Sequence, residues 1–262
     1  MTMDPTVELT RLLTIMVRLR DPERGCPWDR VQDFRTIAPY TIEEAYEVAE
    51  AAETGDPAHL KDELGDLLFQ TVFHARMAEE AGLFDFTDVA AAIVDKMIRR
   101  HPHVFADVAI ADAAAQTVAW EETKAKERAA GGALSVLDGV GVALPALTRA
   151  EKLQKRAARV GFDWSETAPV FAKIDEELDE LRREVEAGAD ATRIEDELGD
   201  VLFSVVNLAR HLKVDPEQSL RAAARKFERR FRAVELVAAP FEDKSLDELE
   251  AAWQRVKTTE KT

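Results

Sequence analysis

The chain has 262 residues, 46% apolar and 33% charged, which suits one large or two ordinary domains with a real core and excludes a disordered chain. A net charge of -16 repels a phosphate backbone, so nucleic-acid binding by bulk charge is excluded, while an anionic partner stays open through a bridging cation. The single cysteine, Cys26, leaves no internal disulfide framework and fits a reducing cytoplasm, and no apolar run approaches the ~20 residues of a membrane span.

Helical periodicity dominates, and sustained period-two alternation is hard to find, so the predicted fold is all-α. The start carries Leu9, Leu12, Leu13, Met16 and Leu19 on one face of an amphipathic helix, without the uninterrupted apolar centre of a signal peptide. "CPWD", Cys26 to Asp29, follows in a loop. Nothing local supplies the histidine base that a nucleophilic cysteine needs, so Cys26 reads as packing or substrate-edge structure. Two helices then fold back on each other: Gly55 ends the first, Asp56 caps the second, and Pro57 suits its first turn. Leu60, Leu64, Leu67 and Leu68 share one face of the second helix. "RRHPHVF", Arg99 to Phe105, places His101 and His103 around a proline, which favours a structural turn over a metal pair. The glycine-rich stretch from Ala129 to Leu147 is the best candidate linker, between a domain at 1–128 and another at 148–262. Its "GVG" lacks the third glycine and preceding strand of a nucleotide fingerprint.

The second half repeats the first. "ELGDLLFQTVFHAR" (Glu63 to Arg76) matches "ELGDVLFSVVNLAR" (Glu197 to Arg210), "KMIRR" matches "KFERR", and "AWEETKAKE" matches "AWQRVKTTE". The blocks keep their order at an offset of about 133 residues, which marks a tandem duplication of one helical domain. Leu198, Leu202, Val205 and Val206 repeat the apolar face, and Gly188 repeats the helix stop.

The duplicated unit carries acids at helical spacing. Glu44 and Glu47 lie three apart, as do Glu63 and Asp66; Glu177 with Glu180 and Glu197 with Asp200 repeat both pairs. Antiparallel packing of the two helices brings four carboxylates together in each half. Two like charges ~5 Å apart repel by roughly 3 kcal/mol at an effective dielectric near 20. A divalent cation removes that penalty, and an all-oxygen anionic set favours Mg²⁺, with Mn²⁺ as a substitute. A solvated acidic face paired with lysines is the bland alternative. The helix-interior glycine of "ELGD" costs about 1 kcal/mol relative to alanine and suggests close approach by a backbone or ligand. A di-iron bundle is disfavoured because no histidine follows a glutamate at the Glu-x-x-His spacing.

Cations accompany the acids in the second half. Lys173 can share a face with Glu176 and Glu177, Arg193 opens the next helix, and Lys226, Arg229 and Arg230 form a later cluster, with Trp253 beyond. Such groups suit outer phosphate oxygens and a base or ribose. In the first half Tyr40 stands for Lys173 and His59 for Arg193, so part of the cationic set is lost.

"CPWD", "EEAYE", "KDELGDLLFQ", "RRHPHVF", "KIDEELDE", "EDELGD", "KFERRF" and "AWQRVK" resemble the MazG family of nucleoside triphosphate pyrophosphohydrolases across nearly the whole chain. The resemblance implies two tandem MazG-like helical domains, bundles completed by dimerisation, Mg²⁺ dependence, and conversion of NTP to NMP and pyrophosphate. It implies metal ligation by Glu177, Glu180, Glu197 and Asp200, with Glu44, Glu47, Glu63 and Asp66 at the matching first-half positions. Lys173 with Glu176 and Glu177, the run Arg193, Ile194, Glu195 and Asp196, then Lys226, Arg229, Arg230 and Trp253 would line the nucleotide site. Glu176 is the expected water-activating base. Two other readings stay open from the residues alone: a nucleotide-sensing module without turnover, and a helical scaffold without metal.

Overall fold

A computed structural model describes residues 4–106, 110–132 and 134–260. The described residues form eleven α-helices and no strand, as the periodicity predicts. The chain divides into two compact units, Met1–Thr123 and Lys124–Thr262.

In the first unit, Asp4 caps α1 (Pro5–Leu19), its carboxylate accepting from the Thr6 N–H. A single 3-10 turn, Asp29–Val31, leads to α2 (Phe34–Thr54), which opens on a capping box between Asp33 and Thr36. Gly55, at φ +73°, ends α2 in the left-handed conformation that an L side chain disfavours. Asp56 then caps α3 (Pro57–Glu80) through the N–H groups of Ala58 and His59. The expected α2–α3 hairpin is therefore present, with its expected stop and start. α4 (Phe86–Arg100) and the one-turn α5 (Pro102–Phe105) follow, and α6 (Ala113–Ala130) starts in this unit and continues past its boundary at Thr123. Met16, Ile37, Val72, Phe73 and Met77, from α1, α2 and α3, form the core, with Leu12, Leu13, Phe69 and Phe86 against it.

One buried cation holds the "CPWD" loop on this core. The Arg20 side chain is 8% exposed. Its guanidinium donates to the carbonyls of Asp29 (2.6 Å) and Gln32 (3.2 Å) and to the Glu80 carboxylate, and lies 5.3 Å from the centre of the Phe73 ring. The half-buried Cys26 of this loop donates its N–H to the carbonyl of Leu19 at the end of α1, in line with a packing role.

The second unit repeats the pattern: α7 (Ala146–Arg159), α8 (Thr167–Glu186), α9 (Ala191–His211), α10 (Pro216–Ala238) and α11 (Leu246–Thr259). Gly188, at φ +63°, closes α8, and Asp190 caps α9. Val234, Ala238 and Ala252 form a second core, packed by Phe241, Leu249, Trp253 and Val256. Residues 134–145, expected as linker, carry a defined turn. Asp138 accepts from the N–H groups of Leu134 and Ser135, and Arg156 of α7 donates to the carbonyls of Val136 and Asp138.

Two features of the hairpins were not set by their helical period. The apolar faces of α3 and α9 are helical as predicted, yet Leu64 and Leu198 stay 49% and 47% exposed, and Leu68, Leu202 and Val205 are exposed as well; Val206 alone of the named α9 set is buried. Periodicity reports that a face is apolar, and a two-helix hairpin covers only one side of it. A Cβ added at Gly65 or Gly199 would meet nothing within 4 Å beyond its own helix, so among the described residues no other backbone makes the close approach at "ELGD", which leaves a ligand as the other expected neighbour.

The Arg20 clamp gives a stability prediction. Burial opposes ionisation of Glu80, but hydrogen bonds and charge from Arg20 and Arg76 outweigh it and hold the carboxyl below its ordinary range. The pair then contributes stability above the unfolded carboxyl range near pH 4.5, and that contribution is lost as pH falls through the depressed value. Glu80→Gln leaves Arg20 buried without its counter-charge and should cost about 3 kcal/mol at pH 7 in denaturant melts, with the difference shrinking toward pH 3.

Candidate active site

Each hairpin gathers carboxylates at one level of its helices. In the second unit, one oxygen each from Glu177 of α8 and from Glu197 and Asp200 of α9 lie within 4.8 Å of one another. Glu177 is 5% exposed, Glu197 is half-buried and Asp200 exposed. Burial, then the charges of Glu180, Glu177, Asp200 and Glu184, push the Glu197 carboxyl above its ordinary range. Glu180 is therefore close enough to be felt, but it stands outside the converging set and accepts from Arg183 at 3.1 Å.

Lys173 reaches this cluster directly. Its Nζ stands 2.7 Å from Glu177 and 2.9 Å from Glu176, and hydrogen bonds to Glu177 and then Glu176 hold its ammonium charged well past the usual lysine range. The helical spacing foreseen for Lys173 is thus realised. Arg193 pairs with Glu184 across the hairpin at 2.5 Å while its backbone N–H donates to the Asp190 cap. Ile194 is half-buried, and Glu195 and Asp196 are exposed on the following turn.

The later cations stand on α10. Arg229 and Arg230 both donate to Glu260, at 3.1 and 2.6 Å, and Lys226 is exposed one turn earlier. Trp253 is half-buried and packs on Phe227, ring centres 5.3 Å apart. Among the described residues no hydrogen bond or ion pair joins these four to the carboxylates of α8 and α9.

The first unit repeats the acids without the cations. Glu44 of α2 converges with Glu47 and with Glu63 of α3 inside the same 4.8 Å limit. Asp66 lies outside that set, yet its charge acts on Glu44. Burial, then Asp66 and Glu47, push the Glu44 carboxyl up, against a hydrogen bond from Gln70. His59 Nε2 stands 2.9 Å from Glu63. Tyr40, at the position of Lys173, sets its exposed ring edge-on to Trp28, centres 5.6 Å apart. His101 lies apart from this cluster as a turn residue, its Nδ1 2.7 Å from the Met97 carbonyl and its ring against Trp120.

Two further groups escaped the sequence reading. Gln70 is buried on α3 beside the acids; its signal is a polar residue in the apolar run of "ELGDLLFQTVF", one helical turn after Asp66. Asp163, in the α7–α8 turn, accepts from Arg210 at 2.5 Å and faces His211 at 3.2 Å, and Arg210 leads in holding its carboxyl below the ordinary range. That contact is between residues 47 positions apart and has no local signal. The donor sets themselves fit a hard divalent cation: three converging carboxylates in each unit, one of them buried in the second, with no soft ligand among them.

Comparison with known proteins decides the family. A model of the MazG nucleotide pyrophosphohydrolase domain matches twice, over residues 32–105 and 167–234. The chain belongs to the MazG family. Both MazG matches contain an acidic hairpin, α2–α3 in one and α8–α9 in the other. The chain is 52% identical over 258 residues to the nucleoside triphosphate pyrophosphohydrolase of Escherichia coli K12, an alignment covering 97% of this chain and 98% of that one. It is 41% identical to the nucleoside triphosphate pyrophosphohydrolase/pyrophosphatase MazG of Thermotoga maritima, over 96% of both chains. A relative in Mycobacterium tuberculosis with the first of these names is 36% identical over 79% of this chain and 64% of its own. The tandem MazG arrangement read from the duplication is thus matched by the two family hits, and the E. coli and T. maritima relatives align with this chain over nearly its whole length.

The crowding at Glu197 sets a test of this geometry. Because its folded carboxyl titrates above the unfolded one, the metal-free protein should gain stability as pH falls through the carboxyl range. Glu197→Gln should raise the melting temperature of the metal-free protein at pH 7 and lessen the rise expected when Mg²⁺ is added to the unsubstituted chain. Calorimetric melts with and without chelator measure both effects.

Proposed function

We propose that the chain is a divalent-cation-dependent enzyme that hydrolyses nucleoside triphosphates at the α-phosphorus to NMP and pyrophosphate, and that the second unit carries the reaction. The observation that carries this reading is the convergence of Glu177, Glu197 and Asp200 with Lys173 seated on Glu177. Acids alone would repel a triphosphate, and a lysine alone would not neutralise it; the two together suit a metal–nucleotide complex. The names of the E. coli and T. maritima relatives support the same substrate class.

Glu177, Glu180, Glu197 and Asp200 would hold the cation, Mg²⁺ by donor chemistry and Mn²⁺ as its substitute. When bound, that ion supplies positive charge to the triphosphate oxygens. Lys173 has three N–H donors, so it can keep a carboxylate while donating to a phosphate oxygen. Arg193, Lys226, Arg229 and Arg230 supply the remaining donors, the turn from Arg193 through Ile194, Glu195 and Asp196 borders the site, and Trp253 offers a ring to the base. Glu176 is the more exposed partner of Lys173. It orients the attacking water and takes its proton as the new oxygen–phosphorus bond forms. The bond from the α-phosphorus to the bridging oxygen breaks, and pyrophosphate leaves with its charge held by the basic side chains.

A homodimer belongs to this reading. The exposed leucines and valines of α3 and α9, and the open space at Gly65 and Gly199, suit cover by a second copy. Housecleaning or control of nucleotide pools in the cytoplasm is the role such a reaction serves. One observation favours a second reading for the first unit: with Tyr40 and His59 in place of Lys173 and Arg193, it keeps acids without phosphate-binding cations, as a nucleotide-sensing module without turnover would.

Hydrolysis of an NTP panel in ¹⁸O-labelled water tests the chemistry. Attack at the α-phosphorus places the label in NMP and leaves pyrophosphate unlabelled; label in pyrophosphate, or release of NDP and single phosphate, contradicts it. Glu180→Gln and Asp200→Asn in the full chain should each lower kcat by about 10³-fold or more with helical content unchanged by circular dichroism.

A further inference from the structure

The helix that carries Lys173, Glu176 and Glu177 starts without a cap of its own. Glu166, at the N-cap of α8, makes no side-chain hydrogen bond to the first turn, whereas Asp190, Asp215 and Ser245 each cap the helix they precede. Asp163, three residues earlier, holds this start instead. Its carboxylate accepts from Arg210 and faces His211 Nε2 at 3.2 Å, both at the end of α9, so the open end of the α8–α9 hairpin is tied across. The three side chains are largely buried, Asp163 at 21% exposure, Arg210 at 12% and His211 at 11%. Asn207 accepts from the same guanidinium at 2.8 Å and fixes its orientation. The helix entering the turn is fastened to α9 as well: Gln154 of α7, buried, donates an amide N–H to the carbonyl of Phe203, 2.8 Å away.

The first unit makes the same tie with its charges exchanged. There the arginine, Arg20, lies at the end of α1 and the carboxylate, Glu80, ends α3; in the second unit the carboxylate lies in the turn and the arginine ends α9. The place of the bond recurs although the residues do not. What depends on it differs, because α2 has its own capping box at Asp33 and Thr36 while α8 has none. Lys173 and Glu177 stand about two and three turns into α8, and Glu197 and Asp200 stand on α9. The gap across which the carboxylates converge therefore follows the seating of α8 on α9.

We propose that Asp163 is a positioning residue for the second unit's site: bound to Arg210 and His211, it seats the start of α8 on α9 and so sets the gap that Glu177, Glu197 and Asp200 present to a metal–triphosphate complex. Asp163 touches none of the reacting groups and acts through α8. The inference rests on the proposed role of those three acids. A charge-assisted bond partly out of water is strong and directional where an exposed pair is not. Precision matters at such a site, since a displacement of about 1 Å from a change far from the chemistry can cost on the order of 100-fold in rate.

Calorimetric titration of the full chain with the Mg²⁺ complex of a non-hydrolysable NTP, beside kcat and KM for the NTP itself, tests this at a temperature where circular dichroism shows the variants folded. Asp163→Asn should weaken binding of the analogue by about five-fold or more and lower kcat/KM by about ten-fold or more. Arg210→Gln should do the same, and the double variant should lose no more than the larger single loss, as residues acting through one bond do. Glu80→Gln, which breaks the matching tie of the first unit, should lower stability yet leave analogue binding and kcat/KM within about two-fold. If Asp163→Asn does not fold, His211→Gln, which removes the weaker partner, should weaken analogue binding by about two-fold or more. Unchanged analogue binding in Asp163→Asn, or in His211→Gln where that variant takes its place, overturns the inference, as does an equal loss in Glu80→Gln. Binding that shifts as expected in a chain that releases no pyrophosphate overturns the enzyme reading alone. No analogue bound by the unsubstituted chain overturns both.

Discussion

Carboxylates held within a few ångströms of each other, partly out of water, are the constraint to which the rest of this molecule answers. In each hairpin the acids come from both helices, so the fold itself forces them together: α2 with α3, and α8 with α9. The caps, the left-handed Gly55 and the short turns set the register that brings them level. The upward push on Glu44 and Glu197 is the electrostatic consequence of that register. Like charges in such a place repel by a few kcal/mol at an effective dielectric near 20, a sizeable share of a domain's stability. The arrangement makes physical sense when something positive completes it.

The duplication shows two ways of supplying that charge. The second unit uses side chains in part, with Lys173 on Glu177 and arginines on the flanking acids. The first unit has Tyr40 at the position of that lysine, and its acids meet an amide and a histidine. The same helical scaffold thus carries two acidic clusters that differ in the cationic side chains set against them. Tolerance of this divergence follows from where the changed residues lie. Tyr40 and His59 sit toward the solvent side of the hairpin, so their identities alter charge without disturbing the core of Met16, Ile37, Val72, Phe73 and Met77.

Much of this was legible in the residues because helix boundaries and helical neighbours are local properties. Asp56, Pro57 and Gly55 announce the α2–α3 turn through their own side chains and backbone freedom, and the three-residue spacing of the acids needs only the helical repeat. What local pattern does not carry is partnership. Arg20 looks like any surface arginine, yet it is buried through contacts with Asp29, Gln32 and Glu80. Glu180 shares the spacing of Glu177 but turns to Arg183. The glycines of residues 129–147 suggest slack chain, and it is Arg156, in the next helix, that pins the turn. Gln70 was missed because one polar residue in an apolar run has no period of its own. The apolar stripes of α3 and α9 were correctly placed on helices, but no property of a stripe says what covers it.

The central claim is that these acids converge in order to hold cations and, in the second unit, a nucleotide. The most direct measurement is anomalous diffraction from crystals of the full chain grown with Mn²⁺ and a non-hydrolysable nucleoside triphosphate. The account predicts manganese peaks between Glu177, Glu197 and Asp200, with triphosphate oxygens on the same ion and Lys173 turned toward them. Glutamates splayed into solvent with no peak between the helices, and nucleotide bound elsewhere or not at all, would contradict it.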